Sequence, residues 1–109
     1  TVSIFKNSTI VSSITPISSE IPSKYNLYQN FPNPFNPSTN IKFDVPKSDF
    51  VTLEVYNSQG ALIKTLVKDN LAQGTYQMSF NGSDLSSGIY FYKLMTSNFT
   101  ETAKMMLIK

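Results

Sequence analysis

The chain has 109 residues, enough for one modest domain and a short tail. Hydrophobic residues make up 40% and aromatics 13%, with eight Phe and six Tyr, so a core can form without staples, and with no cysteine there is no disulfide or thiolate metal site. Nine lysines scattered along the chain against seven acidic residues leave a net charge of +2, and with no arginine and no histidine the composition argues against nucleic-acid binding and against imidazole or thiol catalysis.

Residues 1–24 divide into a short alternating stretch, Val2-Ser3-Ile4-Phe5, and a Ser/Thr/Pro-rich segment from Ser8 to Lys24 that contains Pro16 and Pro22. The second reads as a linker; the first is either the last strand of a preceding domain or an extra strand pairing back onto this one. Thr1 opens neither on methionine nor on a signal-peptide pattern, so the sequence reads as a piece of a longer protein. No apolar run approaches the ~20 residues of a membrane helix, and no transmembrane segment is expected.

Next comes Tyr28-Gln29-Asn30-Phe31-Pro32-Asn33-Pro34-Phe35-Asn36-Pro37. Pro32, Pro34 and Pro37 fix their own φ and push Phe31, Asn33 and Asn36 toward extended backbone. Asn33 and Asn36 can each bond the backbone two residues on, and Phe31 and Phe35 can pin the segment to a core. A rigid corner opening a β-domain is expected.

From Ile41 the hydrophobic period is two almost throughout, and no window keeps helical spacing. Ile41 to Val45 is a strand ended by Pro46, and Phe50 to Tyr56 is the next, with Val51, Leu53 and Val55 on one face and Thr52 and Glu54 on the other. Asn57-Ser58-Gln59-Gly60 is a turn returning into Ala61 to Val67. Lys68 to Leu71 reads as a connection. Gln73 to Phe80 follows with Tyr76, Met78 and Phe80 on one face, then the turn Asn81-Gly82-Ser83-Asp84. Gly88 opens a strand over Ile89 to Ser97, and a hairpin through Asn98 leads to Phe99 to Ile108. About six short strands with turns every 8 to 12 residues point to an antiparallel sandwich, and the fold class expected is all-β, immunoglobulin-like, with about seven strands. Tyr90 and Tyr92 follow Gly88 in the manner of a tyrosine corner, or simply form the inward face of their strand.

Candidate chemistry is sparse. Glu20, Asp44, Asp49, Glu54, Asp69, Asp84 and Glu101 lie far apart, so neither a catalytic carboxylate pair nor a cofactor site is expected. Asp84 beside Asn81, Gly82 and Ser83 could imitate part of a calcium loop, but reads better as a turn. Tyr28, Tyr56, Phe91 and Phe99 are candidates for an aromatic platform that stacks on sugars. The Asn-X-Ser/Thr triplets at Asn7, Asn81 and Asn98 are assigned no function. The final apolar strand, Thr102 to Lys109, invites use as a handle, since an edge strand offers unpaired backbone groups. An exposed edge over Phe99 to Ile108 would permit strand exchange between copies.

Taken together, Asn30 to Thr39, Val51 to Asn57 with Gly60, Gly74-Thr75-Tyr76, Leu85 to Tyr92 and Lys104-Met105 resemble the type A C-terminal sorting domain of the type IX secretion system. The resemblance covers Tyr25 to Lys109; Ala61 departs from the arginine or lysine common after the turn glycine. It implies an immunoglobulin-like domain, residues 25–109, with 1–24 as linker and tail of a covalently linked N-terminal cargo domain. It also implies partners in the secretion machinery, an outer-membrane shuttle and a sortase-like protease, and a secreted or cell-surface destination reached through the periplasm. By that resemblance Gly88, Tyr90, Tyr92, Lys93, Lys104, Met105, Leu107 and Lys109 are the recognition residues, and Pro32, Asn33, Pro34, Phe35, Asn36 and Pro37 build the fold corner. A hook-cap-like scaffolding module and a carbohydrate-binding sandwich are the competing readings.

Overall fold

The computed structural model describes residues 21–109 and the backbone of one preceding strand, β1 (Ile14–Ser18). The remaining strands are β2 (Asn26–Leu27), β3 (Ser38–Val45), β4 (Asp49–Asn57), β5 (Leu62–Leu71), β6 (Gly74–Asn81), β7 (Gly88–Met95) and β8 (Thr100–Leu107). They form two four-stranded antiparallel sheets, in the orders β1-β6-β3-β2 and β5-β4-β7-β8. This is a sandwich of the immunoglobulin kind, with seven strands from Tyr25 onward. β1 lies within the stretch that reads as linker and pairs on β6; Val2–Phe5 falls outside the described residues.

The period-two pattern explains the core. Ile41, Phe43 and Val45 of β3 and Tyr76, Met78 and Phe80 of β6 face Val51, Leu53 and Val55 of β4 and Tyr90, Tyr92 and Leu94 of β7, all buried. Phe43 and Tyr76 are cross-strand partners whose rings stack at 5.6 Å. Two tyrosines, not one, make a corner: the Tyr90 hydroxyl donates to the Ser86 carbonyl at 2.8 Å, and the Tyr76 hydroxyl to that of Ala72 at 2.7 Å.

Lys68 to Leu71 is not a connection. β5 continues through it, pairing Thr52 with Lys68 and Asp49 with Leu71. Leu66 has no opposite number on β4, a bulge that turns the adjacent Leu66 and Val67 both inward. That bulge, a second one near Leu62, and the lysines at 64 and 68 blunt an edge that would otherwise be long and flat. At Gly60 φ is +84°, the left-handed conformation that the turn after β4 requires.

Polar groups close the outer side of the first sheet. Asn26, Asp44 and Thr75 lie in one cross-strand row, and the buried Asp44 carboxylate accepts from Asn26 Nδ2 (3.0 Å), Thr75 Oγ1 (2.7 Å) and the Tyr28 hydroxyl (2.5 Å). At the same end of the sandwich, just past the β3–β4 turn, Asp49 accepts from the Tyr25 hydroxyl at 2.6 Å and from Ser97 Oγ at 2.8 Å. The Tyr25 hydrogen bond, the largest cause, holds the Asp49 carboxyl at about 2, below its ordinary 3.8. Because the folded value is depressed, the associated stability is fully present above 3.8 and is lost as pH falls through 2. Tyr25→Phe keeps the ring stacked on Phe99 but removes the donor. It should cost on the order of 1 kcal/mol at neutral pH, allowing for solvent screening, and the difference from the parent should vanish toward the acid end of that window. Urea melts across the acid range check this, and a deficit that persists undiminished at the acid end would refute it.

Candidate functional site

The corner and the last strand form one unit. Phe31-Pro32, Asn33-Pro34 and Asn36-Pro37 are all cis. Between β2 and β3 the chain lies along β8, with Phe35 bridged to Leu107 in parallel. Phe35 is 1% exposed, set edge-on against Phe80 at 6.1 Å. Phe31, which the sequence places on the core as well, is 78% exposed; its backbone bridges to Asn40 and turns the ring out to solvent. Nor does Asn33 bond the backbone two residues on. That bond belongs to Asn30, whose Nδ2 donates to the Pro32 carbonyl (3.1 Å) and to Thr39 Oγ1 (3.0 Å), while Asn33 Oδ1 accepts from the Met106 amide at 3.0 Å.

Gly82 is where the corner, the β6–β7 turn and β8 meet. Its amide donates to the Pro37 carbonyl at 2.7 Å, and a Cβ there would stand 3.1 Å from Leu107 Cδ2 and 3.3 Å from Phe35 Cε2. The turn's carbonyls are also spoken for, since the Lys109 ammonium donates to those of Ser83 (2.7 Å) and Leu85 (2.8 Å). Among the described residues no three His, Cys, Asp or Glu come together to hold a metal ion, and no helix is long and apolar enough to cross a membrane.

The residues singled out for recognition divide by depth. Tyr90, Tyr92, Met105 and Leu107 are buried, Gly88 and Lys93 are half-buried, and Lys104 and Lys109 are exposed. The Tyr92 hydroxyl accepts from the Asn30 amide at 2.8 Å and donates to the Tyr28 carbonyl at 2.7 Å, with burial pushing its pKa up to about 12. Between β7, β8 and the corner lies a shallow cleft of about 130 Å³ lined by Asn33, Pro34, Ile89, Lys104, Met105 and Met106. Met106 and Ile108 are exposed beside it. These two fall within the Lys104 to Lys109 stretch that the resemblance implicates but are not singled out in the sequence, and neither are Gln29 and Asn30. For Met106 and Ile108 the signal is that even-numbered positions of the last strand face away from its apolar side; Gln29 and Asn30 carry none.

The four aromatics proposed as a sugar platform do not share a surface. Tyr28 is held by Asp44 on the first sheet with Lys42 Nζ 4.6 Å from its ring centre, Phe99 stacks on Tyr25, and only Tyr56 and Phe91 are neighbours, as cross-strand partners. Tyr56 is further tied down by a hydrogen bond to Glu54. The expected open edge over Phe99 to Ile108 is also only half present, because the corner covers Lys104 to Ile108.

The chain resembles, at a TM-score of 0.52 and 17% identity, a structure of PorZ, an essential bacterial surface component of the type-IX secretion system of Porphyromonas gingivalis. The match covers 84% of this chain and 13% of that one, and at this identity it speaks to the fold alone. No curated protein sequence gives a significant match. The sequence profile described as the secretion system C-terminal sorting domain matches residues 29–109, from Gln29 through the whole corner and on to Lys109. The chain belongs to the secretion system C-terminal sorting domain family.

Proposed function

We propose that this domain is the address by which an attached cargo protein is carried across the bacterial outer membrane through the type IX secretion system, for release or for attachment at the cell surface. The observation that carries the reading is the family match over residues 29–109. The domain acts by being recognised and does no catalysis. Residues 1–24 serve as linker and tail of the cargo, and the partners are an outer-membrane shuttle and a sortase-like protease.

Recognition falls to the surface that β7, β8 and the corner present together. Lys93, Lys104 and Lys109 supply positive charge there, and Met106 and Ile108 supply exposed apolar area around the cleft. Tyr90, Tyr92, Met105 and Leu107 contribute from beneath, by holding that surface in shape. Such a surface needs no active site, only a rigid backbone and a partner of matching shape.

The test uses the 109-residue chain fused behind a periplasm-targeted reporter in a bacterium with a working type IX system. A second copy carries Lys104→Glu with Met106→Asp, two exposed positions whose replacement leaves the core intact. The parent should reach the medium or cell surface, and the variant, folded, should stay mostly in the periplasm. A folded parent that remains in the periplasm would overturn the sorting reading.

A further inference from the structure

β8 is the edge of its sheet, paired with β7 on one side only. In an antiparallel pair alternate residues turn both backbone groups away from the neighbour. On β8 these are the even positions, and from the Lys104 carbonyl to the Ile108 amide four of their outward groups in succession are engaged. Gln29 Nε2 donates to the Lys104 carbonyl at 2.8 Å, and the Met106 amide donates to Asn33 Oδ1 at 3.0 Å. The Phe35 amide donates to the Met106 carbonyl at 2.9 Å, and the Ile108 amide donates to the Phe35 carbonyl at 2.9 Å. Over Thr100 to Ala103 the outward groups have no partner among the described residues.

We infer that Gln29 and Asn33 are positioning residues that, with the Phe35 backbone, shut the second half of β8 against strand addition by another copy of this chain. The occupant being kept out is a second copy because the same edge, if open, is self-complementary: antiparallel pairing of β8 with β8 needs nothing but two domains. Two of the four bonds come from side chains, so the closure depends on residue identity and not on chain path alone. Resting on the sorting reading, this inference adds that a secretory partner reads β8 through the side chains of Lys104, Met106 and Ile108 rather than through its backbone.

The test is made on the purified 109-residue chain, apart from any secretion machinery, so its failure is distinct from a failure of export. Three chains are compared: the parent, Gln29→Ala with Asn33→Ala, and Asn33→Asp, which keeps an acceptor for the Met106 amide. In the parent the Met106 amide should exchange with solvent about ten-fold more slowly than the Thr102 amide, and the chain should stay monomeric through a sedimentation concentration series. The double variant should lose that protection, keep its core amides protected, and gain mass with concentration; Asn33→Asp should behave as the parent. Parent-like exchange and size in the double variant, or equal loss in Asn33→Asp, would overturn the inference.

Discussion

Deleting Lys104 to Lys109 should abolish the folded domain, and with it any export, before recognition comes into play. Met105 and Leu107 are each 1% exposed and belong to the central core. Truncating one such side chain costs about 2–5 kcal/mol, and a domain of this size has roughly 5–15 kcal/mol in total. The deletion also strips Phe35 of its two backbone bonds and removes the lysine that ties down the β6–β7 turn. The expected result is loss of a cooperative thermal transition by circular dichroism, with collapse of amide dispersion in the NMR spectrum. A cooperative melt near the parent's midpoint would show that the last strand is dispensable for folding. A missing signal on truncation is therefore uninformative about which residues a partner touches, and single replacements at the exposed Lys104, Met106 and Ile108 are the cleaner probe.

How much of this was legible in the sequence depends on the range of the interaction. β4 and β6 alternate cleanly, so Val51, Leu53, Val55, Tyr76, Met78 and Phe80 were placed correctly from spacing alone. The sequence ends β5 at Val67 because Lys68, Asp69 and Asn70 look like a turn; in an edge strand with one face in water those residues are at home, and the bulge at Leu66 hides the period. Phe31 and Phe35 are indistinguishable by composition, yet only the second reaches the core, and the choice is made by the backbone bridges, Phe31 to Asn40 and Phe35 to Leu107.

Side-chain partners far apart in sequence were out of reach. Asn33 finds Met106 and Gln29 finds Lys104 only after the corner has been laid along β8, so local reasoning gives Asn33 a partner two residues on and gives Gln29 none. The same holds for Lys109, which reads as a charge at the end of a strand and serves as a clamp on the carbonyls of Ser83 and Leu85. The family resemblance names buried and exposed positions alike, and burial separates those that lie at the surface from those that support it.

Tyr92 is where these two roles are most closely joined, and its replacement should have the largest effect of any single change considered. It is 0% exposed, and its hydroxyl reaches from β7 to the segment that leads into the corner. Tyr92→Ala removes a buried ring and leaves the Asn30 amide and Tyr28 carbonyl without their partner, which together should cost about 3–5 kcal/mol or more and leave the domain marginal at best. Tyr92→Phe isolates the polar share: packing is kept, two backbone groups lose one partner, and about 1–3 kcal/mol should be lost. For a domain of this length that is a fall in melting temperature of roughly 4–8 °C per kcal/mol. Amide exchange at Asn30 and Met106 separates local from global loosening. If Tyr92 anchors the corner, Tyr92→Phe should speed exchange at both positions while Leu53 and Met78 remain protected. A uniform acceleration across the sheets would instead make Tyr92 an ordinary core residue whose hydroxyl does nothing particular for the surface of β8.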